Sequence, residues 1–448
     1  MDIKNKNITI IGAVKSGVGA AKLIKKLGGH PFVSDSGTEP KLTEYITKLK
    51  AADIEFEIGS HSERIFQCEI MVVSPGVPSN AEVLVKAREK GIKLISEIEL
   101  AGYFCKGNII AITGTNGKTT TTSLCGHIMN ACGFKTYLAG NIGLAFSEIA
   151  LDVKEDEFVS LEVSSFQLDL IDGFKPKVAM ILNITPDHLN RYENKFENYI
   201  NSKLRIYKNM DAGDYLVLNN DDEVLTKSLT KRNSTDLFFS LNKEQNNGCY
   251  VKDGKVIFAR DGKEEFSCGI ADINLKGEHN IANAMASICA AKIFGGDNKK
   301  ITGALSSFQG VEHRLEFVRE IDGVKFINDS KATNVDSVWY ALKSFDEPIF
   351  LILGGLDKGN DYNQIKDLVL KNVVKIYAIG SSADKVFNFF HSFVKVEIKP
   401  SLQEVVLAAN NEARQNEIVL LSPACASFDM FDSYEHRGKV FKEAVNNL

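Results

Sequence analysis

The chain carries no excess of one charge. Its 53 Lys+Arg stand against 58 Asp+Glu, for a net charge of -5 and a pI near 6.0. Without a basic field, nucleic acid and anionic membranes are excluded as general partners, while an anionic small molecule at a locally positive site is not. No stretch approaches the roughly 18 apolar residues that a spanning helix needs, so no membrane insertion is expected. No secretory h-region with a cleavage site precedes the strand-like run Ile8–Ile11. The eight cysteines (68, 105, 125, 132, 249, 268, 289, 425) form no CxxC pair and sit mostly in apolar surroundings. That is the pattern of reduced, buried thiols in a cytosolic protein. Repeats and low-complexity tracts are absent as well. At roughly 150 residues per domain, 448 residues give about three domains. A cytoplasmic globular protein is the expectation.

Strand-like and helix-like segments alternate along the whole chain, which argues for an α/β class built on parallel sheets. In the first 97 residues, Ile8–Ile11, Pro31–Ser34, Ile70–Val73 and Lys93–Ile95 read as strands, with helices at Val18–Leu27 and Val83–Lys90. A second unit opens with the apolar run Ile109–Ile112, a Gly-rich turn and a helix bearing Leu124, Ile128 and Ala131 on one face. Strands follow at Phe158–Val163, Val178–Asn183 and Tyr215–Leu218, with a helix at Phe196–Met210 and another at Asn280–Phe294. Between them, residues 236–270 are broken by Asn-Asn-Gly and two Asp-Gly pairs. This is the signature of hairpins laid on the side of the domain. The pattern restarts near residue 311, with strands at Val324–Asn328, Ile349–Gly354, Val374–Ile379, Val394–Ile398 and Ile418–Ser422. Helices over 335–344, 362–370, 383–390 and 402–413 separate these strands. The boundaries are 1–97, 98–311 and 312–448, and substrates are expected in the clefts between domains.

The sharpest motif is Ile112-Thr-Gly114-Thr115-Asn116-Gly117-Lys118-Thr119-Thr120, placed after an apolar strand and before a helix. Glycines let backbone N–H groups converge on phosphate oxygens, Lys118 adds a point charge, and the Thr119 hydroxyl suits Mg²⁺. The motif is a shortened Gly-x-x-Gly-Lys-Thr form of the common phosphate loop. Glu162 ends an otherwise apolar strand and is costly there unless paired or metal-bound. His188 follows another strand of the same sheet. Both lie at the carboxyl edge where ligands gather, which favours metal ligation over a structural role. Lys203 interrupts the apolar stripe Phe196, Ile200, Tyr207. It is either a snorkelling lysine or an enclosed one whose neutral amine acts as a nucleophile or takes up CO₂. Near the N-terminus, Gly12-Ala-Val-Lys15-Ser16-Gly17-Val-Gly19 with Asp35 lacks Gly-x-Gly-x-x-Gly spacing. It reads as a generic nucleotide-phosphate loop, with Asp35 or Ser36 near the ribose or base, or else as a turn with a packing role. In the last third, polar clusters end several strands: His313-Arg314, Asp329-Ser-Lys331-Ala-Thr333-Asn334, Gly354-Gly-Leu-Asp-Lys358 and Ser422 to Asp429. Their shared edge favours a site for a carboxylate substrate and ATP charge.

Together these motifs resemble the Mur ligase family, the ATP-dependent amide-forming enzymes of peptidoglycan precursor synthesis. The match covers the whole chain. Folylpolyglutamate synthases share the loop and the overall plan. The choice among family members rests on Leu161-Glu-Val-Ser-Ser-Phe-Gln-Leu168, Gly140-Asn-Ile-Gly143, Asn328 to Asn334 and Leu421 to Asp429, with the Asp-Asn-Pro-Arg signature of the diaminopimelate-adding relative absent. The combination is similar to the branch that adds D-glutamate to UDP-N-acetylmuramoyl-L-alanine.

The resemblance implies three domains: N-terminal Rossmann-like and UDP-binding, central with the phosphate loop, and C-terminal Rossmann-like. It assigns Lys15, Ser16, Asp35, Ser36, Ser74 and Gly76 to the UDP moiety, and Asn141, Ser164 and Gln167 to the muramoyl-alanine path. ATP would be held by Gly114, Thr115, Asn116, Gly117, Lys118, Thr119 and Thr120, with Asn280, Asn283, Arg314 and Asp329. Thr119 and Glu162 would ligate one Mg²⁺ and His188 a second, aided by Lys203 as a carbamate. Lys118, Glu162, His188 and Lys203 would carry the catalysis. Thr333, Lys358, Ser427, Phe428 and Tyr434 would hold D-glutamate. The implied protein is a monomer that takes only small-molecule substrates.

Overall fold

The computed structural model describes residues 1–357 and 359–448, except the side chains of residues 40 and 41. Among these residues the chain is α/β, with three sheets of five, nine and six strands. It divides into two compact units, Met1–Asn274 with Asn280–Phe308, and Leu275–His279 with Gln309–Leu448. No helix among the described residues is long and apolar enough to cross a membrane.

The first unit holds two sheets. One is all parallel, in the order Glu55–Ile58, His30–Asp35, Asn7–Ile11, Ile70–Val73, Lys93–Ser96. Buried, largely apolar runs such as Ile8–Ile11 and Ile70–Val73 are what a parallel sheet covered on both faces requires. Ile11 pairs with Ser34 on one side and Val73 on the other. The turn that begins at Gly12 therefore sits where the strand order reverses, the position at which open α/β sheets bind ligands.

The nine-stranded sheet runs Lys263–Gly269, Lys255–Arg260, Gly248–Lys252, Thr235–Ser240, Tyr215–Asn219, Val178–Ile181, Asn108–Thr113, Phe158–Glu162, Thr136–Gly140. The strand feeding the phosphate loop lies between the two that end at Glu162 and Ile181, with Ile112 in register with Glu162. The Asp253-Gly254 and Asp261-Gly262 turns have positive φ at both residues, as two-residue hairpins demand. These hairpins lie at the side of the domain, but as part of its main sheet and not as a separate layer. Phe238–Ser240 pairs in parallel with Gly248–Tyr250, so the hairpins extend the sheet at its edge. The expected helix Phe196–Met210 is also shorter. It ends at Leu204 and tightens to a 3-10 turn over Arg205–Tyr207, where Arg205 donates to the Leu168 and Ile171 carbonyls at 2.7 Å each.

The second unit's sheet runs Glu316–Ile321, Val324–Asn328, Ile418–Leu421, Ile349–Gly354, Val373–Ile379, Lys395–Ile398. All ladders but the first are parallel. Apolar layers cover both faces: Leu351, Ile376 and Leu420 on one, and Phe350, Tyr377 and Val419 on the other. Alternate strand residues supply the two layers.

Candidate active site

The phosphate loop is built as its sequence requires. Gly114 (φ +156) and Gly117 (φ +83) occupy conformations that L side chains rarely adopt. Gly117 caps the helix Lys118–Ala131, whose first N–H groups have no intrahelical acceptor and give the loop partial positive charge. Asn183, at the end of the adjacent strand, clamps the loop. Its Oδ1 accepts from the Asn116 N–H at 2.8 Å, and its amide donates to the Asn116 carbonyl at 3.1 Å. Thr115 Oγ1 donates to the Thr185 carbonyl at 3.0 Å and meets Tyr199 OH at 3.2 Å. Asn283 packs on the loop, with Oδ1 only 2.5 Å from where a Cβ on Gly117 would stand, and hydrogen-bonds Asn280 at 3.3 Å. Gly117→Ala therefore meets both a forbidden φ and a clash. It is expected to raise the KM for ATP by about tenfold, the equivalent of roughly 1.4 kcal/mol of strain, as read from ATP titrations of phosphate release.

Two lysines converge on one atom. Lys118 Nζ donates to the Gly114 and Thr115 carbonyls at 2.8 and 2.7 Å, and Lys203 Nζ donates to the same Gly114 carbonyl at 2.8 Å. Lys203 is 1% exposed and lies 4.6 Å from the centroid of the Tyr199 ring. Burial, and then the neighbouring Lys118 charge, pull its pKa well below the ordinary lysine value, against weaker opposition from Asp187 and Asp169. It does not snorkel. Enclosure favours the neutral amine, the form able to react with CO₂.

Glu162 is equally enclosed at 1% exposure. Its Oε1 accepts from the Asn141 amide at 3.1 Å, whereas Oε2 is buried without a partner among the described residues. An orphaned carboxylate oxygen is costly in a dry site, and a divalent cation would satisfy it. Thr119 lies buried in the first turn of the loop helix. His188 adopts a left-handed conformation (φ +52) after its strand and packs edge-on against Phe166 at 5.2 Å. The Thr119 hydroxyl and the Glu162 carboxylate are the hard oxygen donors that Mg²⁺ requires. The grouping of three metal-capable side chains elsewhere, Glu312, His313 and Glu316, is already filled, because Lys442 donates to both glutamates.

A cleft of about 840 Å³ opens at the switch point of the five-stranded sheet. It brings together Lys15, Ser16, Asp35, Ser36, Ser74, Gly76, Asn141 and Gln167. Ser164 is not on its wall. It caps the short helix Ser165–Leu168 in a reciprocal pair with Gln167. Asp35 is committed to the fold. Its oxygens accept from the Ala13 N–H at 2.6 Å and the Gly37 N–H at 2.7 Å, closing the turn around Gly12. Lys15 Nζ donates to the Gly143 carbonyl. Sequence reading missed His61, which also lines this cleft, as well as Asn183 and Tyr199.

In the second unit the strand-end loops are tied by a buried arginine that the sequence did not mark. Arg437 donates to Ser330 Oγ at 2.9 Å, the Ser330 carbonyl at 2.7 Å and the Cys425 carbonyl at 3.1 Å. Lys331 Nζ donates to Tyr434 OH at 3.0 Å. Thr333 is half-buried, Ser427 is buried, and Phe428 is 69% exposed. Lys358 lies outside the described residues. Arg314 Nε is buried with no hydrogen-bond partner among the described residues.

Asp329 accepts from Ser422 Oγ at 2.9 Å and the Leu315 N–H at 3.2 Å. Burial nonetheless pushes its pKa up to about 6, with Arg314 and Ser422 opposing. A raised carboxyl pKa means that the folded state holds the proton more tightly. Stability is then unaffected below about pH 4 and falls as pH rises from 4 to 6, by about 3 kcal/mol in all, and is level above. Asp329→Asn should abolish that loss. Urea denaturation at pH 4 and pH 7.5 is expected to show the variant gaining on the parent by about this amount at the higher pH.

Three family models match the chain: a Mur ligase MurD-like N-terminal domain over residues 6–96, a Mur ligase middle domain over 112–291 and a Mur ligase glutamate ligase domain over 313–425. Similar proteins include one from Cytophaga hutchinsonii, 45% identical over 99% of both chains, and one from Chloroherpeton thalassium, 43% identical over 100% of this chain and 99% of that one. Both bear the name UDP-N-acetylmuramoylalanine–D-glutamate ligase. Among solved structures, the fold is shared with UDP-N-acetylmuramate-alanine ligase from Thermotoga maritima (TM-score 0.66, 18% identity, 99% of each chain). It is also shared with a MurF ligase from Thermotoga maritima in complex with ADP (TM-score 0.61, 16% identity, 93% of this chain and 95% of that one).

Proposed function

This chain belongs to the Mur ligase family, and on that premise we propose that it joins D-glutamate to UDP-N-acetylmuramoyl-L-alanine, forming ADP and phosphate, in cytoplasmic peptidoglycan precursor synthesis. The observation that carries the chemistry is the convergence of the Lys118 and Lys203 amines on the Gly114 carbonyl, in a loop built for phosphate. The choice of acceptor rests on the full-length relatives named for it.

The alanyl carboxylate attacks the γ-phosphorus of ATP and ADP leaves, giving an acyl phosphate. The amine of D-glutamate then attacks the acyl carbon, and the tetrahedral adduct collapses with loss of phosphate. Lys118, released from its loop carbonyls, offsets charge on the transferring group. Gly114 to Thr120 cradle the phosphates, with Asn280, Asn283, Arg314 and Asp329 on the rest of ATP. One Mg²⁺ held by Thr119 and Glu162, and a second held by His188, would supply further charge neutralisation at the phosphate oxygens. The neutral Lys203 amine attacks the carbon of CO₂ and loses one proton, leaving a carbamate anion beside the cation site. Lys15, Ser16, Asp35, Ser36, Ser74 and Gly76 serve the UDP moiety, and Asn141, Ser164 and Gln167 serve the muramoyl-alanine arm. Thr333, Lys358, Ser427, Phe428 and Tyr434 serve D-glutamate. The working division is 1–97, 98–311 and 312–448, in a monomer. Hydroxylamine supplied in place of D-glutamate tests the intermediate: a hydroxamate formed with one phosphate per molecule supports it, and phosphate release without hydroxamate sinks it.

A further inference from the structure

The 840 Å³ cleft holds one side chain whose hydrogen-bonding polarity is fixed by its neighbours. His61 follows the edge strand Glu55–Ile58, and its Nδ1 lies 2.7 Å from the fully buried hydroxyl of Ser34. That hydroxyl donates its single proton to Glu57 Oε1 at 2.7 Å. Glu57 also accepts from the Ser62 N–H at 2.9 Å and from Ser62 Oγ at 2.6 Å. Although burial acts the other way, the Ser62 and Ser34 hydrogen bonds hold the Glu57 carboxyl below its ordinary value. An ionised carboxylate only accepts, so Ser34 must donate to it and is left to accept from His61. The Nδ1 atom therefore carries the proton in the neutral ring. Nε2 is then a bare acceptor, with no protein partner among the described residues.

The strand order says what this acceptor meets. In a doubly wound sheet a nucleotide lays its phosphates at the turn after the first strand and the helix start that follows it, here Gly12 to Ser16, and extends across the neighbouring strand ends. Asp35, which ends the next strand, has both oxygens engaged by backbone amides. His61 follows the strand beyond it, and the cleft there is walled by the apolar side chains of Ile65, Phe66, Val77 and Val83. A flat base fits such walls, and an acceptor among them selects a base edge that donates.

We propose that His61, held as its Nδ1–H tautomer by Ser34 and Glu57, is the specificity residue whose Nε2 accepts the imide N3–H of uracil. The inference rests on the reading of this cleft as the UDP site. A base presenting an acceptor at that position, as cytosine does, leaves two lone pairs opposed and is rejected.

The test uses the full-length chain, calorimetric titration and three probes: UDP, N3-methyl-UDP and 2′-deoxy-UDP. The parent is expected to bind N3-methyl-UDP about tenfold or more weakly than UDP, the worth of one lost hydrogen bond with its desolvation cost. His61→Phe, which keeps a ring without the nitrogen, should bind the two alike, chiefly by losing affinity for UDP. The same discrimination in His61→Phe as in the parent would overturn the proposal. So would a loss confined to 2′-deoxy-UDP, which would place the contact on ribose. Long-range ¹⁵N–¹H spectra read the tautomer without any ligand: Nδ1–H in the parent, lost in Ser34→Ala, supports the positioning chain, and Nε2–H in the parent overturns it. If UDP fails to bind while the Nδ1–H tautomer is present, the reading of the cleft has failed rather than the hydrogen-bond chain, and the uracil contact falls with it.

Discussion

Lys203→Ala is expected to lower the rate of phosphate release by about 10³-fold or more, and millimolar formate or acetate to restore part of it. The magnitude corresponds to about 4 kcal/mol, the scale of a preorganised charge in a water-excluded site. A lysine at 1% exposure beside Lys118 is a poor place for an ammonium. Its carbamate would replace that ammonium with an anion, which the neighbouring Lys118 charge favours instead of opposing. A small carboxylate entering the space left by alanine mimics that anion, whereas a purely structural lysine would not be rescued by one. Stability separates the roles further. Lys203→Met removes a buried amine at similar volume and should leave the melting temperature level or higher while activity is lost. Full activity in the unrescued alanine variant would end the carbamate account.

Lys118→Ala is expected to cost about 10²- to 10³-fold in kcat, with a smaller change in the KM for ATP, when initial rates are measured at saturating acceptor. In the structure its ammonium rests on the Gly114 and Thr115 carbonyls, so the loop itself parks the charge that phosphate later takes. Lys118→Arg should not restore the rate, because a planar guanidinium does not fit a point-charge seat with acceptors at 2.7 and 2.8 Å. A kcat within threefold of the parent in the alanine variant would remove Lys118 from the transition state.

Buried parallel strands were the most legible part of the fold. Ile70–Val73 and Ile349–Gly354 fall where continuous apolar runs place them, because both of their faces are covered. Two strands with half-exposed faces were not legible: Glu55–Ile58 alternates carboxylates with apolar residues at a sheet edge, and Thr136–Gly140 is short and half-solvated. The helix Tyr434–Asn446 was missed as well, and with it Arg437, since an arginine on a polar helix gives no sign of burial. The site divides in the same way. Gly114, Gly117 and Lys118 are fixed by local backbone needs that spacing reveals. The enclosure of Lys203 depends on Tyr199 and Gly114, four and 89 residues away, and a stripe pattern is silent on such contacts. The Ser34–Glu57–His61 chain joins three strand-end residues that only the parallel register of the sheet brings together.

The most direct measurement is phosphate release by the purified chain with Mg²⁺ and ATP, supplying UDP-N-acetylmuramoyl-L-alanine and D-glutamate together and singly, with the product weighed by mass spectrometry. Release that requires both, with a product heavier by one glutamyl unit, is the predicted result. Silence with that pair, alongside release with a folate and glutamate, would contradict it and assign the same fold to the sister chemistry.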